Sequence, residues 1–158
     1  MNKEQHKEYM RRAIALSIEN VRRGGGPFGA VIVKDGKIVG EGTNRVTLDN
    51  DPTAHAEVSA IRAAAAQLGT FNLEGCVIYT SCEPCPMCLG AIYWARLDRI
   101  YFGSTRYDAA HAGFDDEFLY RELALDVKDR HKVMTELLPD EARKAFELWC
   151  RKEDKVEY

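Results

Sequence analysis

Two short segments constrain this chain more than anything else in it. One is Ala54-His55-Ala56-Glu57; the other, about one helix and one strand further on, is Ser81-Cys82-Glu83-Pro84-Cys85-Pro86-Met87-Cys88. Imidazole and thiolate are the donors zinc prefers, and three protein donors leave a fourth tetrahedral position to water. His55, Cys85 and Cys88 supply those three. Glu57, two residues past His55, is not needed as a donor, and a free carboxylate beside a metal-bound water is a natural proton carrier. Any fold must therefore bring the two segments to one point. A competing arrangement takes Cys82, three residues before Cys85, as a fourth donor and closes a structural Cys3His site. That arrangement leaves Glu57 without a task.

At 158 residues the chain is long enough for one domain with a substantial core. Five cysteines make an odd count, and three of them fall within one heptapeptide. That is metal spacing rather than a disulfide framework, and it fits a reducing compartment. A net charge of −3 leaves no electrostatic footprint for nucleic acid. No apolar run is long enough to span a bilayer and no secretory leader is read at the start, so a cytoplasmic protein without a membrane partner is expected. With no repeat, low-complexity tract or linker, 1–158 reads as a single domain, with 152–158 a charged tail.

Residues 3–23 carry Met10, Ala13, Ile14, Ser17, Ile18 and Val21 at helical spacing, stopped by Gly24-Gly25-Gly26. Strands at 28–33 and 37–42 flank Asp35-Gly36, a strong hairpin signal. A polar loop follows over 45–52, with Asn44 at its entrance as a turn former or a donor and acceptor for a ligand. Thr53 is expected to cap a helix reaching Leu68, with Gly69 at its end. A strand over 76–81 leads to a helix predicted from Pro84 to Arg96. Both metal-bearing segments then sit at helix N-termini, where the positive dipole end favours thiolates. After a strand at 99–104 come a loop over 107–116 and a short helix to Ala124. The pattern over 128–138 fixes no element; 140–151 reads as a helix with Ala142, Ala145, Phe146 and Trp149 on one face. Strand–helix–strand alternation implies parallel pairing and the hairpin adds antiparallel strands. The expected fold is α/β, a three-layer α/β/α sandwich with a mixed sheet.

H-x-E followed by P-C-x-x-C is the signature of zinc-dependent nucleobase deaminases, and the likeness extends over nearly the whole chain. It includes the stretches from Gly26 through Val33, from Asp51 through Val58 and from Thr80 through Arg96, then Gly113-Phe114-Asp115-Asp116 and Glu157-Tyr158. On these residues the chain resembles the cytidine deaminase superfamily and, within it, the small bacterial guanine deaminases. Gly-Phe-Asp-Asp and the closing tyrosine are the parts that point to guanine. The segment 121–139 matches weakly.

The resemblance implies one Zn2+ per subunit, held by His55, Cys85 and Cys88, and Glu57 as proton shuttle. It implies apolar walls from Phe28 and Trp94. Hydrogen bonds to the purine are implied from Asn44, the Ala56 backbone and one carboxylate of the Asp115/Asp116 pair, with Asp116 favoured. Tyr158 is implied to close the pocket of a partner subunit in a domain-swapped homodimer. An independent argument supports guanine: its N1–H and amino group are donors on one edge, and an ionised aspartate only accepts. The expected reaction is hydrolysis at C2, yielding xanthine and ammonia. Guanosine or a guanine-like triazine is an alternative substrate. Deamination of adenosine in tRNA would need a basic RNA-contacting surface, which the mildly acidic chain does not announce. A non-catalytic zinc module using Cys82 is the alternative from another class.

Overall fold

The computed structural model describes residues 2–158. Residue contacts divide the chain after Tyr120 into two compact units.

The first unit is built on a four-stranded sheet of order β2-β1-β3-β4. The strands are β1 (Gly29–Lys34), β2 (Lys37–Thr43), β3 (Cys76–Cys82) and β4 (Arg99–Ser104). β1 pairs antiparallel with β2 and β3, while β3 and β4 run parallel. The sheet is mixed, as the hairpin and alternation signals require. Helix α1 (Lys3–Arg22) opens on a capping box in which Asn2 accepts from the Gln5 N–H and the Gln5 side chain accepts from the Asn2 N–H. α1 covers one sheet face, where Ala13, Val31, Val33 and Tyr79 pack together. The other face buries Ala30, Ile32 and Ile78 against Ala56, Ala60, Ala64 and Ile92. Neighbouring strand residues thus serve opposite layers, the period-two rule at work.

Helix α3 (Ala56–Leu68) lies unusually near β2, and two glycines permit it. A Cβ on Gly42 would stand 2.1 Å from the Ala56 carbonyl oxygen, and one on Gly40 would stand 2.5 Å from that of Ala60. The alanine-rich body of α3 and these bare strand positions are two halves of one close contact.

Several element starts differ from expectation, each for a local reason. The 45–52 segment contains a one-turn helix, α2 (Val46–Asp49), with Arg45 and Asp49 paired at 2.7 Å. Thr53 does not cap α3: its N–H and hydroxyl both donate to Asp51, at 2.8 and 2.7 Å, and His55 takes the N-cap position instead. Helix α4 (Pro86–Trp94) begins two residues after Pro84. A residue preceding proline is driven out of the helical region, so Pro86 holds Cys85 extended and itself takes the first helical position. α4 stops before Arg96, which is left-handed at φ 58°. The stretch read as a loop over 107–116 begins with a further helix, α5 (Arg106–His111), capped by Thr105 and Asp108. Helix α6 (Asp116–Ala124) follows.

The second unit, Arg121–Tyr158, holds the end of α6, a 3-10 turn at Val127–Asp129 and α7 (Pro139–Arg151). Within it, Glu122 accepts from the backbone N–H of His131 at 2.9 Å and lies 2.7 Å from its ring nitrogen. Among the described residues, no helix is long and apolar enough to cross a membrane.

Candidate zinc and base-binding site

The C-terminal end of β3 and the starts of α3 and α4 converge. His55 is the N-cap of α3 and Cys85 that of α4, both with extended backbone, and Cys88 follows in the first turn of α4. Extended caps turn their side chains across the helix ends rather than along a helix face. His55 Nδ1 lies 3.6 Å from Cys85 Sγ and 3.5 Å from Cys88 Sγ, and all three donor atoms fall within 4.8 Å of one another. Tetrahedral zinc, with Zn–S about 2.3 Å and Zn–N about 2.0–2.1 Å, sets sulfur and nitrogen about 3.6 Å apart. The donor set therefore fits zinc in both chemistry and spacing. Cys82 is not part of it: its thiol donates to the Thr105 carbonyl at 3.6 Å, and burial pushes its pKa up to about 12. Three donors remain, the number that leaves a coordination position open.

The electrostatics of the protein groups follow from crowding. The Cys88 thiol, hydrogen-bonded to Cys85, holds the Cys85 sulfur well down as a thiolate, with His55 assisting. Cys88 is pushed up by the same contact. Facing Cys85, the His55 imidazole is raised and favours its cationic form. Two thiolates around a divalent ion are the metal-loaded counterpart of this arrangement.

Glu57, only 5% exposed, sits just inside α3 and accepts from the Thr80 hydroxyl at 3.2 Å. Burial is the main reason its pKa is raised. A carboxyl that holds its proton more readily than usual can both take and return one.

A cavity of about 480 Å³ opens onto these groups, within the range of small-molecule sites. His55, Glu57 and Cys85 line it together with Phe28, Asn44 and Asp116. Asn44 is buried; its Oδ1 accepts from the Val46 N–H at 3.2 Å and its backbone carbonyl accepts from Asn20, which fixes the side chain and leaves its amide hydrogens for a ligand. Ala56 is buried at the first position of α3, where a backbone N–H has no partner inside the helix. Asp116 is half-buried on the cavity wall while Asp115 is exposed. Burial, then the neighbouring Cys85 thiolate, raises the Asp116 pKa. Trp94, the last residue of α4, is 67% exposed and is not among the lining residues. Tyr158 belongs to the second unit and is 68% exposed.

Among the lining residues without an assigned role in the sequence reading, Phe114 and Glu83 bear on the site. Phe114 meets Phe28 edge to face at 4.8 Å, so the apolar wall is a pair of rings. Glu83 accepts from the Arg106 N–H at 2.9 Å. Phe114 stands beside the Asp pair already singled out, and Glu83 lies inside the cysteine segment; adjacency was the available signal for both.

A family model described as the cytidine and deoxycytidylate deaminase zinc-binding region matches residues 3–104. The guanine deaminase of Bacillus subtilis (strain 168) is 51% identical over 154 residues, covering 97% of this chain and 99% of that one. The X-ray structure of guanine deaminase from Bacillus subtilis superposes with a TM-score of 0.93 at 50% identity, covering 100% of this chain and 99% of that one. A guanine deaminase structure from Nitrosomonas europaea gives a TM-score of 0.66 at 33% identity, covering 68% and 63%. The tRNA-specific adenosine deaminase of Haemophilus influenzae is 40% identical over 113 residues, 68% of this chain and 65% of that one.

Proposed function

The chain belongs to the cytidine and deoxycytidylate deaminase family, and on that premise we propose that it hydrolyses guanine to xanthine and ammonia. The observation that carries this reading is a single cavity bounded by zinc donors, the buried Glu57 and the carboxylate of Asp116. Guanine presents N1–H and its amino group on one edge, and an ionised carboxylate accepts from both. The guanine deaminase that matches along almost its full length supports the same substrate.

His55, Cys85 and Cys88 would hold zinc, which when bound would lower the pKa of a coordinated water to about 7. The chain's own residues do the remaining work. Glu57 takes a proton from the attacking water and returns protons to a ring nitrogen and to the departing amine. A C–O bond forms at C2, the C–N bond breaks, and ammonia leaves xanthine behind. Phe28, backed by Phe114, flanks the flat base. Asn44, the Ala56 N–H and Asp116 orient it.

In this reading the protein is one deaminase with one zinc per subunit, working in the cytoplasm as a domain-swapped homodimer. The tail 152–158 places Tyr158 over the partner's pocket, whereas Trp94, outside the cavity lining, is given no part in holding the base. The large apolar side chains that the second unit exposes, among them Val133, Leu137, Phe146 and Leu148, support a partner that covers them.

The test is a panel of purine bases, nucleosides and guanine-like triazines scored for ammonia release. Guanine is expected to be turned over fastest. Turnover of adenosine in tRNA with none of guanine overturns the proposal.

A further inference from the structure

We infer that Arg106 is a positioning residue for Asp116, clamping the turn that delivers Cys85 to the helix that begins at Asp116. This rests on the reading of Asp116 as the group that accepts from the base. Four contacts close a ring. The Arg106 backbone N–H donates to Glu83 Oε2 at 2.9 Å. The Arg106 side chain pairs with the same carboxylate, Nε lying 3.3 Å from Oε1; this Nε is buried and not aligned for a hydrogen bond, so the attraction is one of charge. The guanidinium carbon lies 4.1 Å from the centre of the Tyr120 ring. The Tyr120 hydroxyl donates to the Pro84 carbonyl at 2.5 Å. Glu83 and Pro84 are neighbours in the chain, so the ring is complete.

Each end of the ring touches the site. Pro84 immediately precedes the ligand Cys85. Tyr120 stands four residues after Asp116 on α6, a spacing that puts both on one helix face. Fixing the Tyr120 ring therefore fixes the roll of α6 and with it the direction of the Asp116 carboxylate. Charge matters as well as geometry. Glu83 and Asp116 line the same cavity, and like charges there repel. Arg106 matches the Glu83 charge, so, apart from the proton carrier Glu57, Asp116 is the carboxylate left to face a ligand.

The zinc-loaded protein carries the test, with Arg106→Gln, Arg106→Lys and Tyr120→Phe compared for zinc content, thermal midpoint, KM and kcat on guanine. Arg106→Gln is expected to raise KM by roughly ten-fold or more, with kcat within about three-fold of wild type, because misplacing a substrate-orienting group weakens binding more than it alters the proton carrier. Zinc stays bound. Arg106→Lys keeps the charge without the planar stack and recovers part of the loss. Tyr120→Phe removes one oxygen, folds as wild type does, and raises KM by an intermediate amount. A lower thermal midpoint with unchanged KM makes the ring merely structural and overturns the inference, as does a fall in kcat at constant KM. If wild type turns over guanine and no variant moves KM, the inference fails and the proposed function stands. If wild type leaves guanine untouched, both fall.

Discussion

At the scale of single residues, the site assigns distinct tasks to groups of similar chemistry. Glu57 is buried and raised in pKa, while Glu83 is matched by Arg106. The first is placed to move protons; the second is engaged by Arg106. Glu57→Gln should keep zinc and fold yet lose turnover by about 10²–10⁴-fold or more, the cost of removing a general acid–base group. Parallel zinc analysis and ammonia assays check this, and near-normal turnover takes Glu57 out of the mechanism. The cysteines divide similarly. Cys85→Ser and Cys88→Ser should lose zinc, whereas Cys82→Ser should retain it, because the Cys82 thiol is directed to the Thr105 carbonyl. Metal loss on changing Cys82 would restore the closed Cys3His site.

At the scale of elements, the helix starts are what the sequence disclosed least well, and they matter most. His55 and Cys85 act from N-cap positions, not from inside first turns. The residue types and their spacing were legible because zinc chemistry dictates them. The boundaries were not, because they turn on competition between neighbouring prolines and on Asp51 claiming Thr53. Helix α5 escaped notice because its capping box uses aspartate where glutamate is the usual mark. The mixed sheet was readable from Asp35-Gly36 and from the later alternation; the closeness of α3 to β2 was not, since it depends on glycines meeting a helix distant in sequence. Gly42→Ala tests that closeness. Its Cβ would press on the Ala56 carbonyl, and a cost of about 1–3 kcal/mol is expected for such overpacking. Urea denaturation of the zinc-loaded protein measures it. Zinc affinity should fall too, because the displaced end of α3 carries His55. Unchanged affinity would show that β2 does not set the site.

At the scale of the whole molecule, the role proposed for Tyr158 depends on a second chain, which no pattern in one chain can display. Complementation tests this directly. A variant lacking 156–158 and a Glu57→Ala variant should each be nearly inactive as pure species. Dissociated and re-associated together, they should regain part of the activity, because a truncated subunit keeping Glu57 receives an intact tail from its partner. No recovery on mixing means the tail acts within its own subunit.

The two-helix origin of the metal donors also bears on how the protein matures. His55 and the cysteine pair are separated in the chain by all of α3 and β3, and nothing local draws them together. The imidazole leaves the ribosome before the thiols do, and the three meet only when β3 has paired with β1. The side chains that drive this pairing, Val31, Ile32, Ile78 and Tyr79, are aliphatic or aromatic and owe nothing to an ion. Apolar cores on both sheet faces give this scaffold a folding drive of its own, unlike small fingers whose folding the metal directs. The metal-free chain is therefore expected to unfold cooperatively, and circular dichroism after chelation checks this; loss of the folded signal on chelation alone would tie folding to the ion.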